Sequence, residues 1–162
     1  MSAQIDIRLL DIGVSDTVAA MIAAGEDMTP AMRDIGASLV TSTVRRFEIE
    51  EGPDGSPWPK SVRALAEGGQ TLTESARLRQ SITYIAAPAS VEVGTDVAYA
   101  GVHQDGKTIK PVSAQALTFR IGAAWVTAKE VTIPARPFLG IDEADEAEIG
   151  AILTDHVGEA AQ

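Results

Sequence analysis

Cysteine is absent from all 162 residues, which excludes disulfide scaffolding, thiolate catalysis and cysteine-ligated zinc or iron–sulfur sites together. The fold has to hold by packing alone. Aromatic residues are nearly as scarce, at 4%, so the core is expected to consist mainly of Ala, Val, Ile and Leu and to bury less area per residue than an aromatic-rich one. Stability is therefore expected to lean partly on subunit contacts, and a monomer fully stable at high dilution would contradict this. No apolar run approaches the roughly 18 to 20 residues of a membrane helix, and no basic region followed by an apolar one opens the chain. This points to a protein made and used in a cytoplasm, or built into a particle assembled there, without a membrane partner. Basic residues are few, 13 against 23 acidic ones, and the formal charge of −10 opposes general binding to a phosphate backbone. The pairs Arg77/Arg79 and Lys107/Lys110 read as scattered surface charge.

What is present suits one soluble globular domain over residues 1–162, with 45% hydrophobic and 22% charged residues. Ile5 to Leu10 alternates briefly, like an edge strand, and Ser15-Asp16 offers a cap for the Ala-rich stretch Thr17 to Ala24, which Gly25 should end. Thr29-Pro30 is a stronger start, a capping hydroxyl followed by proline at the first helical position. From there Met32, Ile35, Leu39, Val40, Thr43, Val44 and Phe47 follow three- and four-residue steps and predict a long amphipathic helix.

The following stretch, with Gly52-Pro53-Asp54-Gly55-Ser56-Pro57-Trp58-Pro59, is a loop in which prolines flank Trp58 on both sides. The indole can cap the core or contact a neighbouring subunit. Thr73 is expected to cap a short helix through Leu78 and Ile82, and Ser81–Ala87 to pair with Ser90–Thr95 as a hairpin turning at Pro88-Ala89. Asp96 is expected to cap another short helix, ending near His103-Gln104-Asp105-Gly106, where Asp-Gly signals a turn. Ala116–Ile121 and Trp125–Val131 form a second alternating pair, a hairpin expected to project from the body at about 107–132. In Ile133-Pro134-Ala135-Arg136-Pro137-Phe138-Leu139-Gly140 two prolines predict a stiff extended segment. Its Phe138 either enters this domain's own core or presses into an apolar groove elsewhere. Asp142 then opens an acid-rich first turn of an amphipathic terminal helix through Ile149, Ile152 and Leu153. The whole reads as an α+β fold: a small antiparallel sheet packed against a long amphipathic helix, with a projecting β-hairpin and a C-terminal helix.

Chemistry is thinly represented. With only His103 and His156 available, a hydrolytic triad would rest on His103, with Ser113 or Ser90 as nucleophile and Asp96 or Asp105 as orienting acid. No serine sits in a Gly-x-Ser-x-Gly elbow. The cluster Asp142, Glu143, Asp145, Glu146 and Glu148 lacks the glycine and spacing of a calcium loop and reads as a solvated helix start. No glycine-rich phosphate loop is present. No catalytic, cofactor-binding or metal residue is assigned.

One ordered set stands out: Phe47 before a Pro-Asp-Gly-x-x-Trp loop, Leu78-Arg79-Gln80-Ser81-Ile82, Val93-Gly94-Thr95, Tyr99 through Gly106, and Ile133 through Gly140. Together these resemble the phage virion morphogenesis, or tail-completion, family of Mu-like phages and prophages, over roughly residues 30 to 155. Glu74-Ser75 departs from the Thr-Gly more usual there, so the helix entry is expected to differ. The resemblance implies a non-enzymatic virion protein that completes the tail or the head-to-tail junction, as a homo-oligomeric ring, a hexamer, at the tube end. Such connector and tail-terminator proteins use a small sheet backed by a long helix. The implied partners are the tail tube and neck or connector proteins, with DNA at most passing through the ring. Interface or structural roles fall on Trp58, His103, Gln104, Gly106, Arg136 and Phe138. Rivals from other classes are a small hydrolase centred on His103 and a generic cytoplasmic binding module.

Overall fold

The first element is α1 (Val14–Ala23) among the residues described, 14–23 and 27–160, in a computed structural model. The edge strand expected at Ile5–Leu10 and the stop at Gly25 lie outside those residues. Helix α1 already begins at Val14, so Ser15-Asp16 lies inside it rather than ahead of it. The long amphipathic helix is α2 (Thr29–Ile49), with Pro30 in its first turn. Its start differs from expectation, because Thr29 supplies no capping hydroxyl. Instead the Asp27 carboxylate accepts from the Thr29 amide at 3.0 Å, satisfying one of the donors that a helix start leaves free.

Two short helices follow, α3 (Val62–Glu67) and α4 (Arg77–Gln80), then the hairpin of β1 (Thr83–Ala87) and β2 (Ser90–Gly94). The hairpin has the anticipated antiparallel register, from Thr83 opposite Gly94 to Ala87 opposite Ser90. It lies across α2, where Gly36 lets the Tyr84 ring approach so closely that a Cβ at position 36 would meet it at 2.3 Å. Neither expected cap of the short helices forms. The Thr73 hydroxyl donates to the Thr71 carbonyl, and α4 starts after Ala76 in a left-handed conformation (φ 54°), close to the Glu74-Ser75 departure. Past β2, Thr95 rather than Asp96 takes the Val97 amide, leading into α5 (Ala100–Asp105), which ends at left-handed Gly106.

The projecting segment is a two-tier antiparallel ribbon. Its lower tier pairs β3 (Lys107–Ile109) with β6 (Val131–Ile133), and its upper tier pairs β4 (Leu117–Ile121) with β5 (Ala124–Ala128). A single continuous arm from Trp125 to Val131 had been expected; it divides at Lys129-Glu130, and its end turns to β3 instead. The last element is α6 (Glu143–Ala160), laid against α2.

Among the described residues two apolar cores result. Met32, Ile35 and Leu39 of α2 join Val18, Val91 and the α6 residues Ile149 and Leu153 in one. Phe47, at the other end of α2, joins Trp58, Leu78, Ile82, Val97, Phe138 and Leu139 in the second. The few aromatics are thus concentrated rather than replaced by aliphatics: Trp58 meets Phe47 edge-on at 5.4 Å, and Phe138 lies 5.3 Å from Phe47. Trp58 (5% exposed) and Phe138 (0%) both belong to this chain's own core.

Candidate functional site

The extended segment Ile133 to Gly140 is gripped along its length by side chains from three other parts of the chain. Proline removes the donors at 134 and 137, and several of the remaining backbone groups are bonded by other parts of the chain. The Arg136 amide donates to the His103 carbonyl at 2.6 Å, and Arg136 Nε donates to the Pro59 carbonyl at 2.7 Å. Trp58 Nε1 donates to the Pro137 carbonyl at 2.9 Å. Gln104 acts as a clamp: its Oε1 accepts from the amides of Phe138 and Leu139, and its Nε2 donates to the Leu139 carbonyl. Gly106 is left-handed (φ 72°), and a Cβ there would sit 2.7 Å from the Ala135 amide nitrogen. Trp58, His103, Gln104, Gly106, Arg136 and Phe138, far apart in the chain, therefore all meet at this segment.

One residue that sequence reading passed over holds the other end. Arg46 is buried, its Nη1 donating to the carbonyls of Phe138 (3.2 Å) and Gly140 (2.9 Å). Its Nη2 pairs with the carboxylates of Asp142 (2.9 Å) and Asp145 (2.5 Å). The two aspartates also cap α6 reciprocally, Asp145 accepting from the Asp142 amide and Asp142 from the Asp145 amide, a capping box built from two acids. Burial alone would raise the Asp142 carboxyl, but the Asp145 amide and Arg46 outweigh it and hold it below the usual carboxylate value. The α6 start is thus not the purely solvated cluster expected; two of its five acids are structural. The tie between this segment and α6 runs through Arg46, while Phe138 packs onto α2. A signal existed, because Arg46 lies three residues beyond Thr43 and seven beyond Leu39, on the apolar stripe.

His103 is half-buried, its Nδ1 has no hydrogen-bond partner, and burial followed by the nearby Arg136 charge lowers its pKa. The ring meets Tyr99 edge-on at 5.9 Å. Among the described residues neither Ser90, Ser113, Asp96 nor Asp105 hydrogen-bonds to it, so the geometry of a triad is not assembled.

The sequence model of the phage virion morphogenesis family matches residues 11–158. The chain belongs to that family. Its relatives include the Mu-like prophage FluMu G protein 2 of Haemophilus influenzae, 30% identical over 127 residues that span 78% of this chain and 76% of the relative. The putative capsid assembly protein G of Escherichia phage Mu is 26% identical over 166 residues, spanning 93% of this chain and 97% of the relative. No solved structure matches. Membership gives the chain a role in phage assembly. Among the described residues no helix is long and apolar enough to cross a membrane.

The ribbon itself is the least self-sufficient part of the molecule. Leu117, Phe119, Ile121, Val126 and Ala128 share one face by register, yet all are only half-buried and none belongs to either core. On the opposite face Trp125 is 73% exposed, across from Arg120. The upper tier touches α3, which itself leaves Val62 and Leu65 exposed.

Proposed function

We propose that this protein completes the phage tail or the head-to-tail junction by forming a homo-oligomeric ring, a hexamer, at the end of the tube. The observation that carries the reading is the ribbon at about 107–132, an arm with an apolar face outside both cores and an exposed tryptophan near its turn. Monomeric surfaces seldom leave apolar groups contiguous without a partner. A ring needs two different complementary surfaces that close by rotation, and an arm reaching the next subunit supplies one of them. The gripped segment, with Trp58, Gln104, Gly106 and Phe138, sets the direction in which the arm leaves the body. His103 and Arg136 stand at its foot. The tail tube and neck or connector proteins are the further partners, and DNA at most passes through the opening. A net charge of −10 suits passage rather than grip, because an acidic wall repels the polymer. The site of action on this reading is the virion, at the tail or neck, after assembly in the host cytoplasm.

Mass measurement with electron microscopy tests the proposal. Monomers in dilute solution and closed rings at high concentration or on tails are expected. A closed dimer at every concentration would sink it.

A further inference from the structure

At the foot of the arm, Arg136 is 4% exposed, and among the described residues its head group makes a single hydrogen bond, from Nε to the Pro59 carbonyl. Among the described residues no carboxylate lies within ion-pair distance of it, and Nη1 and Nη2 have no acceptor. Arg46, equally buried, has two carboxylates and two carbonyls. The Arg136 stem is buried, yet Nη1 and Nη2 are not among the fully enclosed unpartnered atoms, so the free edge of the guanidinium is the part that opens to the surface; a largely buried cation is ordinarily paired. Beside Arg136 lies a second unpartnered polar atom, His103 Nδ1, also buried. The cover over both is thin, since Pro59, Ala135 and Pro137 are exposed and the neighbouring Tyr99 is 44% exposed.

We propose that Arg136, with His103 beside it, is the receptor for a carboxylate from a second copy of this chain. The inference rests on the homo-oligomeric reading above and names one contact within it. The free edge of a guanidinium fits a carboxylate in two parallel hydrogen bonds, which a lysine ammonium does not reproduce. Charge identifies the occupant: a chain with 23 acidic against 13 basic residues brings carboxylates in surplus, including Glu143, Glu146 and Glu148 exposed on α6. The pairing completes a cation that the isolated fold leaves uncompensated.

The test uses the intact protein. Arg136→Lys places a primary amine at the receptor, and a carbodiimide then joins that amine to any carboxylate in contact with it. In assemblies made from isotopically light and heavy chains, the expected product links position 136 of one form to an Asp or Glu of the other. Cross-links confined to one chain, or assemblies with none at position 136, would overturn the proposal. Arg136→Gln is expected to weaken self-association about tenfold or more. Its thermal midpoint as a dilute monomer should stay level or rise, because a largely buried cation with no carboxylate partner has gone. A lowered midpoint with undiminished association would assign Arg136 to the fold alone and reject the receptor. Rings that form normally in Arg136→Gln reject only the receptor, whereas a wild-type chain that never self-associates rejects both this proposal and the ring.

Discussion

Two residues of the gripped segment's surroundings show how setting decides what a side chain does. Arg46 and Arg136 have the same chemistry and almost the same burial, yet one ties two carbonyls and two carboxylates together through its Nη atoms and the other bonds a single carbonyl through Nε. His103 is shaped by the second of these. Burial, and then the positive charge of Arg136, favour its neutral ring, so its folded pKa lies below the ordinary 6.5. Above that value the ring is neutral in both states and pH has no hold on it. As pH falls below 6.5 the unfolded chain takes up the proton first, and the folded state loses stability until its own lower pKa is reached. The thermal midpoint should therefore decline between neutral pH and the folded pKa, and His103→Gln should flatten that part of the curve. An unaltered slope in His103→Gln would refute the assignment. The lowered carboxylates, Asp142 among them, act in a separate window: their stabilisation is complete above the ordinary carboxylate value of 3.8 and is lost as pH falls through the folded one.

Among the elements, α6 depends on a contact that helix propensity does not describe. Its first turn is capped by the Asp142 and Asp145 pair, and both carboxylates converge on Arg46 of α2. Removing one partner of a buried ion pair strands the other, so Arg46→Gln should cost about 3–5 kcal/mol. For a chain of this size that corresponds to a fall in thermal midpoint of roughly 10 °C. Hydrogen exchange should quicken first at the α6 amides nearest Glu143, and a variant that melts like the parent would refute the hub. The helix itself was legible, as were α2 and both hairpin turns, because each follows a local period or a local turn signal. The β3–β6 pair was not legible, since it joins three-residue strands about two dozen positions apart and has no repeating pattern to announce it. The caps at Thr29, Thr73 and Asp96 were misplaced for a related reason: Asp27, Thr71 and Thr95 offered those groups better partners, a choice made by backbone geometry. The motif residues were visible one by one, but their convergence on the segment from Ile133 to Gly140 depends on long-range contacts such as Gln104 with Leu139. Arg46 could be seen only as a charge out of place on an apolar stripe.

At the scale of the whole molecule, body and arm differ in what they need. The body owns both apolar cores, and no residue between 101 and 137 contributes to either. The arm carries Lys107, Lys110, Arg120 and Lys129 against one acid, Glu130, in a chain whose net charge is −10, so it is the basic projection of an acidic protein. On the ring proposed above, an arm of that sign, apolar on one face, complements the acidic surface of another copy. Its roots are adjacent, because Lys107 pairs directly with Ile133. Residues 108–132 can therefore be replaced by an Asn-Gly turn, whose geometry suits a two-residue connection between antiparallel strands. The shortened chain should fold with a thermal midpoint within a few degrees of the parent, because both cores remain, and, on the ring proposed above, should stay monomeric at every concentration at which the intact chain is found to assemble. Sedimentation velocity beside thermal melting reads both quantities. Loss of folding would show that the arm belongs to the body after all, and rings from the shortened chain would show that the subunit contact lies elsewhere.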